Sequence, residues 1–306
     1  MHVVQHGRGR FAAKLLLIAL WVCLLPSAAF CSESSDETPP NRSGKLLLTS
    51  GVSQVEGAAG GGLSPWAVIA GYGTRDQVGA NAFLTEVNLG DYQLRSIGLA
   101  VGWHDRIELS LSRQHFDTQD VGMALGLGRG FAIRQDVLGV KLKLIGDAVL
   151  NQDTWLPQIS LGIQHKRNGE GDLLAAIGAS RDSDTELYLS ATKLLLAHSL
   201  LINGTARLTR ANQFGILGYG GDLRDNHSLQ LEGSIAYLLR RDFALGAEYR
   251  SKPNNLRLAI EEDAWDVFAV WAPNKQFSLT VAYVDLGNIV IADDQRGWYA
   301  SLQIGF

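Results

Sequence analysis

The sequence predicts an all-β fold, a transmembrane antiparallel up-and-down β-barrel of about 14 strands within a range of roughly 12 to 16. Three observations predict it. The chain begins with an export signal, apolar residues alternate with polar ones over most of its length, and the last strand ends on an aromatic residue. A single-chain bacterial barrel has an even number of strands, which favours 14 within that range.

The export signal occupies residues 1–29. Three basic residues, Arg8, Arg10 and Lys14, precede an apolar run at residues 15–25, and small residues follow at 27–29. This order of a basic, an apolar and a small-residue region is typical of a cleaved secretory signal. The sequence therefore predicts export across the inner membrane.

Cleavage is predicted after Ala29, and a site after Cys31 is the alternative. An uncleaved membrane anchor is disfavoured because the apolar run is short for a span. A lipoprotein modified at Cys31 is disfavoured because the bulky Phe30 precedes it. Residues 30–44 are mostly polar and unpatterned, which predicts a flexible mature N-terminus before a barrel at residues 45–306.

Composition excludes several classes of protein. Of 306 residues, 46% are hydrophobic and 19% are charged, so the chain is neither disordered nor strongly charged. Without the signal, 24 basic residues face 31 acidic ones, a net charge of −7 that argues against nucleic-acid binding. The two cysteines are Cys23 and Cys31, so residues 45–306 have neither disulfides nor cysteine metal sites.

Period-two alternation is the second observation. Ile107, Leu109 and Leu111 share one face of a strand and alternate with polar residues, and the same pattern recurs in segments of about ten residues. A soluble sandwich alternates similarly, but aromatic residues at the predicted strand ends favour the two interfaces of a membrane. These aromatic residues are Trp66, Tyr72, Trp103, Phe116, Trp155, Tyr249, Trp265, Trp271, Tyr283 and Trp298.

The C-terminal segment is the third observation. In residues 297–306, Trp298 and every second residue after it are apolar and outward-facing, and the chain ends on Phe306. A last strand of this form resembles the signal that the barrel assembly machinery of the outer membrane reads. We therefore predict that Phe306 is an assembly signal and that deleting it lowers the amount of protein in the outer membrane.

Several segments carry a family resemblance: residues 44–49, 51–63, 71–76, 134–137, 146–150 and 155–158. They resemble a proteobacterial family, a domain of unknown function, over about residues 44–306. The resemblance implies an outer-membrane β-barrel. It implies no activity and no functional residues.

Motifs for chemistry are weak. The glycine run at residues 57–62 lacks the helix and Lys-Ser/Thr of a phosphate loop, which favours a turn or a narrow crossing facing the lumen. His104-Asp105, beside a predicted turn, is the best candidate for an acid–base pair, yet no nucleophile motif accompanies it. Because no nucleophile motif is present, we expect that the protein is not an enzyme. No two histidines have metal-ligand spacing, so we also expect no metal and no cofactor.

Charged residues opposite the apolar stripes are expected to line the lumen, because a charge facing lipid at mid-membrane costs roughly 2–4 kcal/mol. They are Arg95, Glu108, Lys141, Lys143, Arg207, Glu232, Glu248 and Arg250.

This lumen favours a passive channel or transporter for small solutes, since wide barrels have room for a conduit. The alternative is a non-conducting structural or adhesive barrel plugged by its glycine-rich segments. A rim hydrolase using His104 and Asp105 is a third hypothesis. Expected partners are outer-membrane lipid, lipopolysaccharide and the assembly machinery.

Overall fold

A computed structural model describes residues 44–306. The predicted signal peptide, both candidate cleavage sites and the predicted flexible segment up to residue 43 lie outside the described residues. Among residues 44–306, no helix is long and apolar enough to cross a bilayer.

Strands dominate the described chain. In chain order they are β1 Val52–Ser53, β2 Ala59–Gly60, β3 Val78–Asn88, β4 Gln93–Trp103, β5 Ile107–Asp117, β6 Ala132–Ile145, β7 Gln158–Asn168, β8 Ser183–Leu195, β9 Leu200–Thr209, β10 Ser228–Arg240, β11 Phe243–Arg250, β12 Ala264–Asn274, β13 Phe277–Asp285 and β14 Arg296–Gly305. The helices are α1 Gln119–Ala124 and α2 Gly171–Ala176, with 3-10 turns at Leu196–His198 and Asn212–Gly215.

Within residues 44–306, the twelve strands β3 to β14 form one closed barrel in which each strand pairs with its neighbour in sequence. Pairing between β14 and β3 closes the wall, from Trp298 opposite Asn88 to Gly305 opposite Asn81, and it is antiparallel like the rest. The predicted antiparallel up-and-down barrel is confirmed. Its strand number lies at the lower end of the predicted range.

The predicted barrel domain, residues 45–306, contains the whole barrel, but its wall begins only at Val78. Residues 44–77 form a separate segment, and every residue from Thr49 to Gly73 is buried. A wall strand would expose every second side chain to lipid. This segment contacts inward-facing side chains from strands on all sides of the barrel, including Ser96, Ser160, Ser234 and Gln303, so it lies in the lumen. We call it the N-terminal plug.

The two ends of the barrel differ. One end has short turns at residues 104–106, 196–199, 241–242 and 275–276 and one longer loop at residues 146–157, together with the entry of β3 and the C-terminus. The other end has long connections at residues 118–131, 169–182, 210–227 and 251–263. Short turns are periplasmic and long loops extracellular in barrels of this kind. The plug therefore enters and leaves through the periplasmic mouth.

The wall has an apolar outer face and a polar inner face. In β5, Ile107, Leu109 and Leu111 are exposed, whereas Glu108 and Ser110 between them are buried. An outer surface so rich in exposed leucine and isoleucine is stable only in lipid. The chain is thus a barrel of the bacterial outer membrane, as the sequence predicted.

The predicted aromatic residues divide into four groups. Trp103 and Trp271 face outward near the periplasmic end, and exposed aromatic residues of β11 to β14 face outward near the extracellular end. The latter are Tyr249, Trp265, Tyr283 and Trp298. The prediction of an interfacial position was wrong for Trp66 and Tyr72, which lie buried in the plug, and for Phe116, which stacks inside on Tyr92. Trp155 lies exposed in the periplasmic loop after β6.

Candidate functional site: the plugged lumen

The plug is a compact fold-back that needs glycine at two places. Its two short strands pair Val52 with Gly60 and Ser53 with Ala59. Gly57, at the turn between them, has a φ of 100°, which only glycine adopts without strain. A Cβ at Gly61 would lie 2.0 Å from Oε1 of Glu248, so glycine there allows the plug to approach the wall.

Glu108 and Lys141 clamp the plug from two neighbouring strands. The backbone N–H groups of Ala59 and Ala70 donate to Glu108 at 3.1 and 2.8 Å. Lys141 Nζ donates to the carbonyl oxygens of Ala59 and Val68, both at 2.9 Å, and lies 3.1 Å from Glu108 Oε2. One buried ion pair therefore binds the plug at residue 59 and at residues 68–70, and all of these contacts are to backbone atoms of the plug.

Hydroxyl groups on the next three strands, β7 to β9, bind the plug at residues 65–67. Ser190 and Thr205 donate to the carbonyl oxygen of Pro65 at 3.1 and 2.8 Å. The backbone N–H of Ala67 donates to Thr192 Oγ1 at 2.7 Å, and its carbonyl accepts from Ser160 at 2.5 Å. Because buried backbone groups must be paired, these small polar side chains replace the water that an open lumen would supply.

A central ion cluster holds the tip of the plug. Its members are three acids and three bases, Glu56, Glu186, Glu232, Lys166, Arg207 and Arg250, all buried. Glu56 is the one from the plug, and it accepts from Lys166 at 2.6 Å and from Arg250 at 3.1 Å. Lys166 and Arg207 also contact Glu186 at 2.9 and 2.8 Å, and Arg207 pairs with Glu232. The cluster is electrically balanced only when the plug supplies Glu56.

Two acids in another part of the lumen have no such balance. Glu248 and Asp266 lie directly opposite each other on β11 and β12, and both are buried. Glu248 accepts from the N–H of Leu63 at 2.8 Å and from Ser234 at 2.7 Å. Within residues 44–306, neither oxygen of Asp266 has a hydrogen-bond partner and neither acid has a salt bridge. We call these two residues the acidic pair.

At the periplasmic mouth, charges fasten the beginning of the plug. Asp105 contacts Lys45 at 2.8 Å and Lys143 at 2.7 Å, and Lys45 also donates to the carbonyl oxygen of Ile69 at 2.6 Å. Burial lowers the pKa of Lys45, and the carboxylates of Asp105 and Glu108 oppose that shift. Beside it lies a cavity of about 400 Å³ bounded by the plug and the loop after β6.

The hydrolase hypothesis needs His104 and Asp105 to act as a pair. Both are turn residues with positive φ. The Asp105 carboxylate is occupied by Lys45 and Lys143, and among the described residues no hydrogen bond joins it to His104. This geometry gives His104 no carboxylate to orient its ring.

An extracellular cap closes the other end of the lumen. It consists of residues 211–220, all buried. The Phe214 ring lies 4.1 Å from the Arg250 guanidinium, and its carbonyl oxygen accepts from Lys166 at 3.3 Å. Lys252 donates to Gln213 at 2.6 Å and contacts Glu261 at 3.0 Å, and burial raises the pKa of Glu261 against the opposing effect of Lys252. Plug and cap thus meet at the central ion cluster.

The structure places seven of the eight predicted lumen residues on the inner face. Six lie deep and buried: Glu108, Lys141, Arg207, Glu232, Glu248 and Arg250. Lys143 lies at the periplasmic mouth. The prediction was wrong for Arg95, which faces outward and pairs with Glu86 at 2.6 Å. Arg95 has the same parity along β4 as the lipid-facing Ile97 and Leu99, so alternation itself puts it outside.

Among the described residues, sequence reasoning missed several buried charges, including Glu56, Lys166, Glu186 and Asp266 of the lumen. Lys166, Glu186 and Asp266 lie on the polar parity of their strands, so the alternation already contained their signal. Glu56 carried no signal, because it lies in a glycine-rich segment without a period. Within residues 44–306, no group of three or more His, Cys, Asp or Glu side chains is placed to hold a metal ion.

Phe306, the predicted assembly signal, lies at the end of the wall where β14 meets β3 and the plug. Its side chain is exposed at the periplasmic edge. Its backbone pairs with Ala80, and its carbonyl oxygen also accepts from Tyr72 at 3.3 Å, where the plug leaves the lumen. The role of Phe306 as an assembly signal stays a prediction.

Comparison with solved structures finds other barrels at low identity. The KdgM porin is 11% identical with a TM-score of 0.47, covering 74% of this chain and 99% of that one. Outer membrane phospholipase A from Escherichia coli is 14% identical with a TM-score of 0.40, covering 77% and 94%. Acinetobacter baumannii Omp33 is 7% identical with a TM-score of 0.43, covering 76% and 100%. Likeness of this degree transfers no activity.

No curated protein sequence matches the chain. A family profile does match, over residues 49–303, and this range includes almost all of the plug, the wall and the cap. The chain therefore belongs to the family described as Protein of unknown function (DUF3034).

Proposed function

We propose that this protein is a channel for small polar solutes that the N-terminal plug holds closed. One observation carries the proposal. The plug enters and leaves through the same mouth and contributes no strand to the closed wall. It can therefore withdraw toward the periplasm without breaking the ladder of hydrogen bonds that closes the barrel.

The wall behind the plug supports a conduit for polar solutes. Barrels of more than about eight strands have more interior than their own side chains fill. With the plug withdrawn, the charged residues of the clamp, the central ion cluster and the acidic pair would face water. A wall of mixed sign suits small polar molecules and ions, since lumen charge sets ion preference.

Opening also requires movement of the cap. Phe214 packs on Arg250, and Arg250 in turn binds Glu56 of the plug, so the two obstructions share one group of charges. Lys166 and Arg250 contact both Glu56 and Phe214, so withdrawal of Glu56 would remove the acid that fixes these two bases and let them move together with the cap. We infer that plug and cap open together rather than independently.

The alternative is a non-conducting structural barrel with a permanent plug. The density of contacts between plug and wall favours it, because each buried hydrogen bond contributes about 0.5–1.5 kcal/mol. The two functions differ in one property, which is whether the plug ever leaves.

A disulfide between plug and wall tests that property. Ala67 and Thr192 are in contact, at 2.7 Å between the Ala67 nitrogen and Thr192 Oγ1. In a Cys31→Ser background, the Ala67→Cys/Thr192→Cys variant would fasten the plug when oxidised. We expect brief openings of the parent protein in a planar bilayer, their loss on oxidation of the double variant and their return with reductant.

The two single cysteine variants are the matched controls and should conduct like the parent. Currents that persist through the oxidised variant would mean that the conduit avoids the plug. Silence of every variant, including the loosened Glu108→Ala, would favour the structural barrel.

A further inference from the structure

The extracellular half of the outer surface differs between two sectors of the barrel. Strands β11 to β14 present the aromatic residues Tyr249, Trp265, Tyr283 and Trp298 to the lipid. Strands β4 to β7 present four arginines there instead: Arg95, Arg113, Arg134 and Arg167, all exposed. We call this second sector the arginine face. Aromatic residues suit any lipid interface, whereas four outward cations require anionic partners.

The arginines lie in two cross-strand rows. Arg95, His115 and Arg134 are register partners on β4, β5 and β6. One row below, Arg113, Asp136 and Arg167 are register partners on β5, β6 and β7. Side chains of register partners on one face of a sheet lie next to each other, so each row is a compact group.

Acidic residues neutralise only part of this charge. Arg113 forms a two-pronged pair with Asp136, at 2.6 and 3.0 Å, and Arg95 pairs with Glu86. Within residues 44–306, Arg134 and Arg167 form no salt bridge with a carboxylate. Two guanidinium groups on a lipid-facing surface are therefore available to an anion.

An apolar groove lies directly below these groups. Its volume is about 960 Å³, and Arg113, His165 and Arg167 stand at its edge. Its floor is made of lipid-facing aliphatic side chains, including Ile97, Leu99, Leu111, Leu138, Leu302 and Ile304. Cations above a hydrocarbon groove match a lipid with phosphate above its acyl chains.

From this arrangement we infer that the arginine face is a binding site for the lipid A part of lipopolysaccharide. Charge complementarity identifies the occupant, because lipid A carries phosphates in the extracellular leaflet, at the level of the arginines. Arginine binds phosphate with two parallel hydrogen bonds, which fixes the headgroup. One acyl chain would lie in the groove.

Native mass spectrometry of the detergent-purified full-length barrel, titrated with lipid A, tests the inference. Arg134→Gln/Arg167→Gln should weaken lipid A binding by about tenfold or more, because charge-assisted hydrogen bonds are lost. The matched control is Arg240→Gln/Arg241→Gln, which removes two exposed arginines from the periplasmic end of β10 and the turn after it. This control should bind like the parent protein.

A second variant tests the groove without changing charge. In Ala82→Trp, a large side chain replaces the small, exposed Ala82 that lines the groove, and it would fill part of the groove. We expect weaker binding of lipid A, whereas a purely ionic attraction would be unaffected. Heat-modifiable migration on gels verifies that each variant is a folded barrel before it is titrated.

Phosphatidylglycerol and phosphatidylcholine serve as further probes, and the parent should bind them in the order lipid A, then phosphatidylglycerol, then phosphatidylcholine. Equal affinity of the parent for lipid A and phosphatidylcholine would overturn the inference. So would an arginine double variant that keeps the parent's affinity for lipid A.

Discussion

The central ion cluster and the acidic pair are two regions of the same lumen with opposite electrostatics. The cluster joins three acids to three bases, and the plug supplies one of the acids, Glu56. The acidic pair sets Glu248 against Asp266 with no base in contact among the described residues. Both regions touch the plug, but only the first needs the plug for its balance.

This difference indicates where the plug is bound tightly to the wall and where it is bound weakly. At its tip, withdrawal would uncover buried bases, which is costly. At Gly61 and Leu63, the plug lies against two neighbouring acids that have no base in contact among the described residues, and Glu248 is stabilised by the backbone N–H of Leu63 and by Ser234. We therefore expect the plug to loosen first beside the acidic pair. Substitutions at Glu56, Gly61 and Asp266 test this comparison, and a substitution at the outward-facing Arg95 serves as its reference.

The largest expected effect is at Glu56. Glu56→Ala leaves Lys166 and Arg250 short of their shared acid, and removing one partner of a buried ion pair costs roughly 3–5 kcal/mol. We expect a fall of that size in the free energy of unfolding, measured by urea titration in detergent, and more frequent channel openings. The control is Glu86→Gln, which alters an exposed outer pair and should change little. An unchanged Glu56→Ala barrel would mean that the plug is not held by its tip.

At Gly61, a methyl group tests how closely the plug packs. In Gly61→Ala the new Cβ meets the Glu248 carboxylate, and overpacking of this kind costs about 1–3 kcal/mol. Gly204→Ala is the control, because a Cβ there meets nothing within 4 Å. Equal unfolding free energies for the two variants would contradict a tight approach at Gly61.

Asp266→Asn should act in the opposite direction. Where both carboxyls are ionised, like charges directly opposite on neighbouring strands destabilise a sheet, so at alkaline pH removing one should raise the free energy of unfolding by roughly 0.2–1 kcal/mol. Asp285→Asn is a suitable control, since Asp285 pairs with Arg296 at 2.6 Å and should lose stability. Destabilisation by Asp266→Asn would show that the charge of Asp266 is balanced after all.

The smallest effect is expected at Arg95. Its pair with Glu86 is exposed, and such pairs contribute about 0–1 kcal/mol. Arg95→Gln should therefore leave stability nearly unchanged and, because Arg95 faces outward, should also leave the ion preference of the open channel unchanged. Arg207→Gln, inside the lumen, should alter that preference. A shift in ion preference with Arg95→Gln would restore the original lumen prediction for this residue.

Sequence reasoning succeeded where side chains alternate. The wall strands, their apolar outer face and the inward position of residues such as Glu108 and Arg207 all follow from period two. The same rule corrects the prediction for Arg95. Residues 95 and 97 are two apart in β4, so the Arg95 side chain lies on the lipid-facing side together with Ile97. Strand number was less certain, since segments at residues 44–77 were counted with the wall.

By itself, then, the sequence determined a barrel wall with one face for lipid and one for the lumen, because successive side chains of a strand point to opposite faces of the sheet. Only the tertiary structure decided what fills the lumen. The segment around Gly57 and Gly61 has no period, so its position depends on partners far away in the chain, such as Lys166 and Glu248. Those contacts exist only once the wall has closed and its inward polar groups require partners.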